Sequence, residues 1–453
     1  MVEQKQWVWR SQPLKRRTGS DIFLHLFRDH DSSAVLLESP SSSDQPQLCR
    51  YSICAGNPRQ IEGKWQVWTP AVGQILSCLQ QLQDRCFPEI PPEVSHLPFT
   101  GGYLGWLGYD FAWEIERLPQ LNDDPLPFPA AYWYEPEAFA VLDHQDQILW
   151  LAASDDDQLK TLETRLKTPV LESPVRSVTE ISPPTFLTSS KAYQGMVKGA
   201  KEYIEAGDIF QTNLSLRFQA ETQRDSWQIY QALQRINPSP FASYWRTPWG
   251  AMMSCSPERL VQRKGNLCQT RPIAGTRPRG RNSEQDQKLA AELCANLKEQ
   301  AEHIMLVDLE RNDLGRVCEW GSVVVDELLT IERYSHVMHL VSNVQGVMKA
   351  GTSSVDLIQA LFPGGTITGC PKVRCLEIIE ELEPFRRSLF YGSCGYLDQR
   401  GDLDLNILIR TLLCADGMVW GQVGAGIVAD SDPQREWEES LSKGKAQVSA
   451  IAH

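Results

Sequence analysis

An α+β protein is what the sequence predicts, on three observations. Short apolar runs such as Ser33-Ala-Val-Leu-Leu and Ala138-Phe-Ala-Val-Leu are separated by turns rich in Gly, Pro and Asp, the pattern of a strand-rich region. Two later segments, Tyr193 to Gly207 and Asp286 to Asn312, carry apolar residues at three- and four-residue intervals and read as helices. Two others alternate with a period of two. In the first, Phe210, Leu214, Leu216 and Phe218 form a core face opposite Gln211, Asn213, Ser215 and Arg217. In the second, Leu403, Leu405, Ile407 and Ile409 lie opposite Asp404, Asn406 and Arg410. The two polar faces, if they meet, line a cleft; for either strand alone, a face in water is the preferred reading.

At 453 residues the chain exceeds the size of one simple core, so two domains or one large composite unit is expected. A Pro-, Ser- and Thr-rich stretch at 168–190 reads as a linker, dividing a strand-rich region 1–167 from a catalytic region 191–453. The net charge of -13 argues against nucleic acid or an anionic membrane as partner, both of which select a basic surface. No stretch is long and apolar enough for a bilayer, and the first residues lack the apolar run of a signal peptide. The 12 cysteines form no C-x-x-C pair and read as small buried apolar residues, which places the chain in the reducing cytoplasm.

Carboxylates supply the first chemical candidates. Glu302 lies at the margin of an apolar helical stripe, where it needs a cation or a donor; an ion pair with Lys298 or Arg311 is the simplest answer. Asp432 and Pro433 have the form of a helix cap and first turn. Helical spacing then puts Glu436, Glu439 and Lys443 on one face, either as a solvated ion-pair stripe or, with Glu302, as a site for Mg²⁺. Gly424-Ala-Gly-Ile-Val-Ala429 fits the dinucleotide fingerprint, but too few residues follow for the returning strand and ribose-binding acid, so a nicotinamide enzyme is rejected. Phe362-Pro-Gly-Gly-Thr-Ile-Thr-Gly-Cys-Pro-Lys372 resembles a phosphate loop only superficially, because Cys370 and Pro371 part the last glycine from Lys372.

Six segments in order carry a specific resemblance: Cys255-Ser-Pro-Glu-Arg259, Arg271 to Arg277, Ala301 to Asp313, Val337 to Ser342, Phe362 to Lys372 and Gly424 to Asp430. Over nearly its whole length the chain resembles the chorismate-utilising enzymes, specifically the large subunits of anthranilate synthase and aminodeoxychorismate synthase. The resemblance implies a composite fold with two large antiparallel sheets forming a β-sandwich, helices outside. It makes Glu302 and Glu439, with Glu436 beside them, ligands of Mg²⁺. Chorismate is expected against Gln211, Asn213, Thr366, Tyr391, Arg410, Gly424, Ala425, Gly426 and Lys443. Glu258 is the expected general acid, with His339 and Thr276 beside the ring; the bland alternatives are an ion pair of Glu258 with Arg259 and a satisfied core histidine. Leu37, Glu38, Ser39, Tyr51, Ser52, Pro240 and Phe241 resemble the elements of a tryptophan pocket, so a bound tryptophan is a further expectation. No glutaminase nucleophile elbow is present, so ammonia is expected from a separate glutamine amidotransferase subunit.

The resemblance is divided over which ring carbon is aminated. Asn213 and the pair Phe241-Ala242 resemble the para-aminating enzymes, whereas Ala274 stands where many of them carry a nucleophilic lysine and matches the ortho-aminating form. Para amination is the expectation, with anthranilate synthesis the alternative and an inactive scaffold the alternative of another kind. Isochorismate and salicylate synthases fit less well, because they place a lysine base where this chain has Gln211.

Overall fold

The computed structural model describes residues 6–28, 33–39, 48–85, 87–169, 183–334 and 337–452. Two antiparallel sheets dominate it, one of twelve strands and one of ten. In the first, strands from both halves of the chain are neighbours: Ala34–Glu38 pairs with Phe241–Thr247, followed by Gly250–Ser256, Thr411–Ala415, Met418–Ile427 and Gln211–Glu221. In the second, Gly102–Leu107 pairs with Ser393–Asp398, and Arg259–Lys264, Leu267–Arg271, Val337–Val347 and Ile273–Pro278 continue toward the other edge.

Strand alternation explains how one sheet serves two cores. Trp245 and Met252 point into the cluster shared with Trp106, Leu260 and Leu405 of the second sheet, while their neighbours Tyr244 and Met253 point the other way, onto helix residues Phe23, Tyr193 and Trp227. The expected sandwich with outer helices is therefore present. The split at 168–190 does not separate two folding units, because strands from both sides of it pair in both sheets. The linker expectation falls largely on residues outside those described; its end forms the strand Thr185–Phe186 and the cap Ser189 of helix Ser190–Glu205. Among the described residues no helix is long and apolar enough to cross a membrane.

Three local expectations change. The helix expected over 286–312 is two helices, Ser283–Ala295 and Leu297–Val317, because the Asn296 side chain accepts the Lys298 and Glu299 amides and so starts a new helix. Phe210 is not core: the strand starts at Gln211, and the ring, at the sheet margin beside Cys370, is 68% exposed. The two polar faces do not meet. Ser215 and Arg217 bond to Glu383 and Gln422, whereas Asp404 takes the Arg259 fork and Asn406 accepts the Cys394 amide. Strand Leu403–Asn406 ends before Arg410, which adopts φ +51° and so leaves the alternation.

Candidate active site

Strand pairing puts the polar groups of distant segments at one place. Thr276 lies directly across from His339, and the Thr276 hydroxyl is 3.0 Å from His339 Nδ1. Arg410 Nη2 stands 3.4 Å from His339 Nε2, and Nη1 donates to Asn237 Oδ1 at 3.1 Å. A guanidinium only donates, so Nε2 is the acceptor and the ring proton sits on Nδ1. Burial, then the Arg410 charge, hold the imidazole at about 3, so His339 is neutral at physiological pH. It is a satisfied histidine that orients Arg410.

Arg410 is partly buried, and desolvation lowers its pKa. Among the described residues it has no carboxylate within ion-pair distance: its protein partners are an amide and an imidazole. A partly desolvated cation without a counterion is unfavourable, and an anionic ligand offsets that cost. Its positive φ turns the side chain out of the register of strand Leu403–Asn406 toward His339.

Glu258 is buried, and its expected pairing with Arg259 is absent, because Arg259 forms a two-pronged bond to Asp404 with both distances 2.9 Å. The Glu258 carboxyl accepts the Ile273 amide at 3.3 Å. Desolvation raises it to about 8, against the opposing pull of Thr366, the Ile273 amide and Arg410, with Glu310 adding to the rise. A carboxylic acid that keeps its proton at neutral pH is what a poor hydroxyl leaving group requires.

The strand Met418–Ile427 supplies a floor. Gly426 pairs with Asn213 and Gly424 with Ser215. A Cβ on Gly424 would meet the Leu214 carbonyl at 2.4 Å and the Tyr391 hydroxyl at 3.0 Å, and one on Gly426 would meet Gln211 Nε2 at 2.6 Å. Ala425 between them is buried and points to the helix-side core near Leu214, so only its backbone can serve a ligand. Gln211 Oε1, Asn213 Oδ1 and Thr366 Oγ1 are buried without a hydrogen-bond partner among the described residues. Such groups are costly unless something else satisfies them. Lys372 closes the loop that carries Thr366: its ammonium bonds Asp313 at 2.5 Å and the Leu361 carbonyl at 2.9 Å. It holds the loop and is no phosphate ligand.

The carboxylates from two helices gather at the margin of this site. Asp432 caps helix Pro433–Ala452 through the Gln434 and Arg435 amides, which fixes Glu436 and Glu439 on its first turns. Glu302, on helix Leu297–Val317, is raised by burial and by the charges of Glu299, Glu436 and Glu439, against Lys298, whose ammonium is 3.9 Å away. Glu436 is likewise raised by burial and by Glu439. Like charges held together favour a cation among them. Lys443 bonds Glu439 at 2.8 Å and the Gly424 carbonyl at 3.3 Å. Among the described residues no three His, Cys, Asp or Glu side chains form a metal cage unaided. The donor set suits a hard ion such as Mg²⁺ that takes only one or two protein carboxylates and completes its shell with ligand oxygens and water.

The residues expected to form a tryptophan pocket lie elsewhere, between the sheets. Leu37, Glu38, Ser39, Tyr51, Pro240 and Phe241 line a cavity of about 130 Å³, floored by the Arg259–Asp404 pair. Ser52 does not: strand alternation sends it to the opposite face, where its hydroxyl meets His144 at 2.8 Å. Glu38 is filled by Ser20 and Tyr230 and kept above the usual carboxylate range by burial.

Two residues of the site were not singled out from sequence. Asn237 is the second anchor of Arg410. Glu310, 3% exposed, accepts the Gly365 amide, and its charge reaches Glu258. The helical period could have found it, since the buried stripe of its helix runs His303, Leu306, Val307, Glu310, Asp313, Leu314 and Val317.

A family model described as chorismate binding enzyme matches residues 33–449. The chain belongs to the chorismate binding enzyme family. It is 61% identical to the anthranilate synthase component I-like protein of Synechocystis, over 100% of this chain and 93% of that one. To the same organism's anthranilate synthase component 1 the identity is 40%, covering 83% of this chain and 80% of that one. It is 43% identical to aminodeoxychorismate synthase component 1 of Bacillus subtilis, over 95% of each. Among solved structures, anthranilate synthase component I of Streptococcus pneumoniae matches with a TM-score of 0.77 and 31% identity, covering 96% of this chain and 99% of that one. The family and its fold are thus those that the six motifs implied.

Proposed function

We propose that the protein aminates chorismate at C4, using ammonia delivered by a glutamine amidotransferase subunit, to give 4-amino-4-deoxychorismate for 4-aminobenzoate and folate synthesis. The observation that carries amination is the pair of partnerless carbonyl oxygens, Gln211 Oε1 and Asn213 Oδ1, on one face of strand Gln211–Glu221 beside Gly426. They are acceptors awaiting N–H donors, and no lysine base for water stands beside them. Para amination draws on Asn213 and Phe241-Ala242, and on the greater likeness to the component I-like protein of Synechocystis than to that organism's anthranilate synthase.

Arg410 takes the side-chain carboxylate of chorismate in a two-pronged bond. Glu302 and Glu439, with Glu436 beside them, hold Mg²⁺, which when bound neutralises the ring carboxylate. Ala274, paired with Leu340, offers no nucleophile, so ammonia attacks C4 directly. The carbon–nitrogen bond forms as the C4–oxygen bond breaks, and Glu258 gives its proton to the departing hydroxyl, which leaves as water. The new ammonium group then returns a proton to Glu258, and the acid is restored. Tryptophan is the proposed occupant of the cavity between the sheets, and the cytoplasm the proposed compartment.

The test is product analysis with chorismate, Mg²⁺ and an ammonium salt. A non-aromatic product converted to 4-aminobenzoate only after a lyase is added supports para amination. Fluorescent anthranilate formed by the chain alone refutes it, and no turnover supports an inactive scaffold.

A further inference from the structure

Glu310 is the buried acid that this mechanism leaves unused. It faces the loop Phe362–Lys372 from helix Leu297–Val317, accepting the Gly365 amide at 3.3 Å through Oε1, while Oε2 is buried with no partner among the described residues. The next residue in that loop is Thr366, whose hydroxyl is also unpartnered and lies beside Glu258. The charged groups around Glu310 are Lys372 on helix Lys372–Leu382, Asp313 on its own helix and Glu258 ahead of strand Arg259–Lys264; Thr270 of strand Leu267–Arg271 is its polar neighbour. Glu258 in turn faces Arg410. Lys372 already bonds Asp313 at 2.5 Å, so Glu310 has a cation nearby but no ion pair of its own.

Resting on the amination reading, we propose that Glu310 is a positioning residue for Glu258: it grips the Gly365–Thr366 turn and, by its negative charge, keeps on Glu258 the proton that the leaving hydroxyl takes. Two buried acids sharing one region do not both ionise readily, and their titration belongs to the pair. Burial raises both acids, and the Lys372 ammonium is the main opposing pull on Glu310, so Glu310 is the one that ionises first. No covalent step is added: the charge on Glu310 is spent on holding the neighbouring proton in place through the neutral-pH range.

The experiment is an infrared titration of the ligand-free full chain, following the C=O band of a protonated carboxyl that is absent in Glu258→Gln. In Glu310→Gln the repelling charge is gone, so the midpoint of that band falls by about half a pH unit or more, a roughly threefold loss of proton affinity. Glu310→Asp withdraws the charge by one methylene and gives a midpoint between the two; it serves as the test if the Gln variant does not fold. A midpoint equal to wild type in the variant that folds overturns the proposal. The second readout is the alkaline limb of kcat for total chorismate consumption, which is indifferent to the ring position aminated. It moves to lower pH in Glu310→Gln, whereas an equal loss at every pH means a structural role alone and also overturns the proposal. A wild-type chain that consumes no chorismate refutes the amination reading, while the infrared midpoint still decides this one.

Discussion

Glu258→Gln is predicted to slow turnover severely while stabilising the fold, the stabilisation depending on pH. The carboxyl titrates at about 8 in the folded chain against an ordinary 4.5. Its folded-state affinity for a proton is raised, so between those values the folded chain holds a proton that the unfolded chain has released. Stability from this group is fully present below the ordinary value, falls as pH rises and is lost by the folded one. A shift of this size corresponds to roughly 5 kcal/mol at about 1.4 kcal/mol per unit, an upper figure because the site can admit water as it ionises. Glutamine has the same shape and no proton to lose. The melting temperature of the variant therefore rises relative to wild type between pH 5 and pH 8, and the gap is constant below that window. Each kcal/mol is worth about 2–4 °C in chains half this length and less here, so the gap opens by several degrees. Turnover falls by about a hundredfold or more, the usual worth of a general acid. The assay is calorimetry of both proteins across that range. A gap that does not change with pH refutes the claim that burial keeps Glu258 protonated.

Arg410→Lys keeps the charge and loses the fork, so the KM for chorismate rises by about tenfold in steady-state kinetics, for roughly 1.4 kcal/mol of binding. Gly424→Ala drives a methyl to 2.4 Å from the Leu214 carbonyl, costing about 1–3 kcal/mol of stability and disturbing the chorismate floor. Gly444→Ala is its control: the nearest atom is 3.6 Å away, and the helix gains up to about 1 kcal/mol in denaturant unfolding. The Cys268 and Cys318 sulfurs lie 3.3 Å apart, so treatment with the thiol oxidant diamide gives a 268–318 disulfide in peptide mapping under non-reducing conditions.

Much of the site was legible because its residues follow local rules. Asp432 and Pro433 announce a helix start, and the spacing from there places Glu439 next to Lys443, as found. What sequence periodicity could not give was which faces meet in space. Asp404 and Asn406 alternate as the reading required, yet they line the cavity between the sheets, because strand Leu403–Asn406 sits in the second sheet. Ser52 lies outside that cavity for a related reason: the resemblance covers a run of consecutive residues, whereas a strand turns alternate ones to opposite faces. Alternation extended back to Phe210 places it on the core face, but the strand begins only at Gln211 and the ring stays outside. The break at Asn296 was visible in principle, since asparagine competes for helix amides, but the apolar period continues across it. Glu310 escaped notice because a carboxylate on a buried stripe looks like an interruption until the loop it holds is in view.

The metal claim is the one on which the chorismate site most depends, and Mn²⁺ tests it directly as a spin-active stand-in for Mg²⁺. In electron paramagnetic resonance titrations, the wild-type chain with chorismate is predicted to take up one Mn²⁺, and Glu302→Gln and Glu439→Gln each to lose that uptake. Equal Mn²⁺ uptake by wild type and both variants would contradict it.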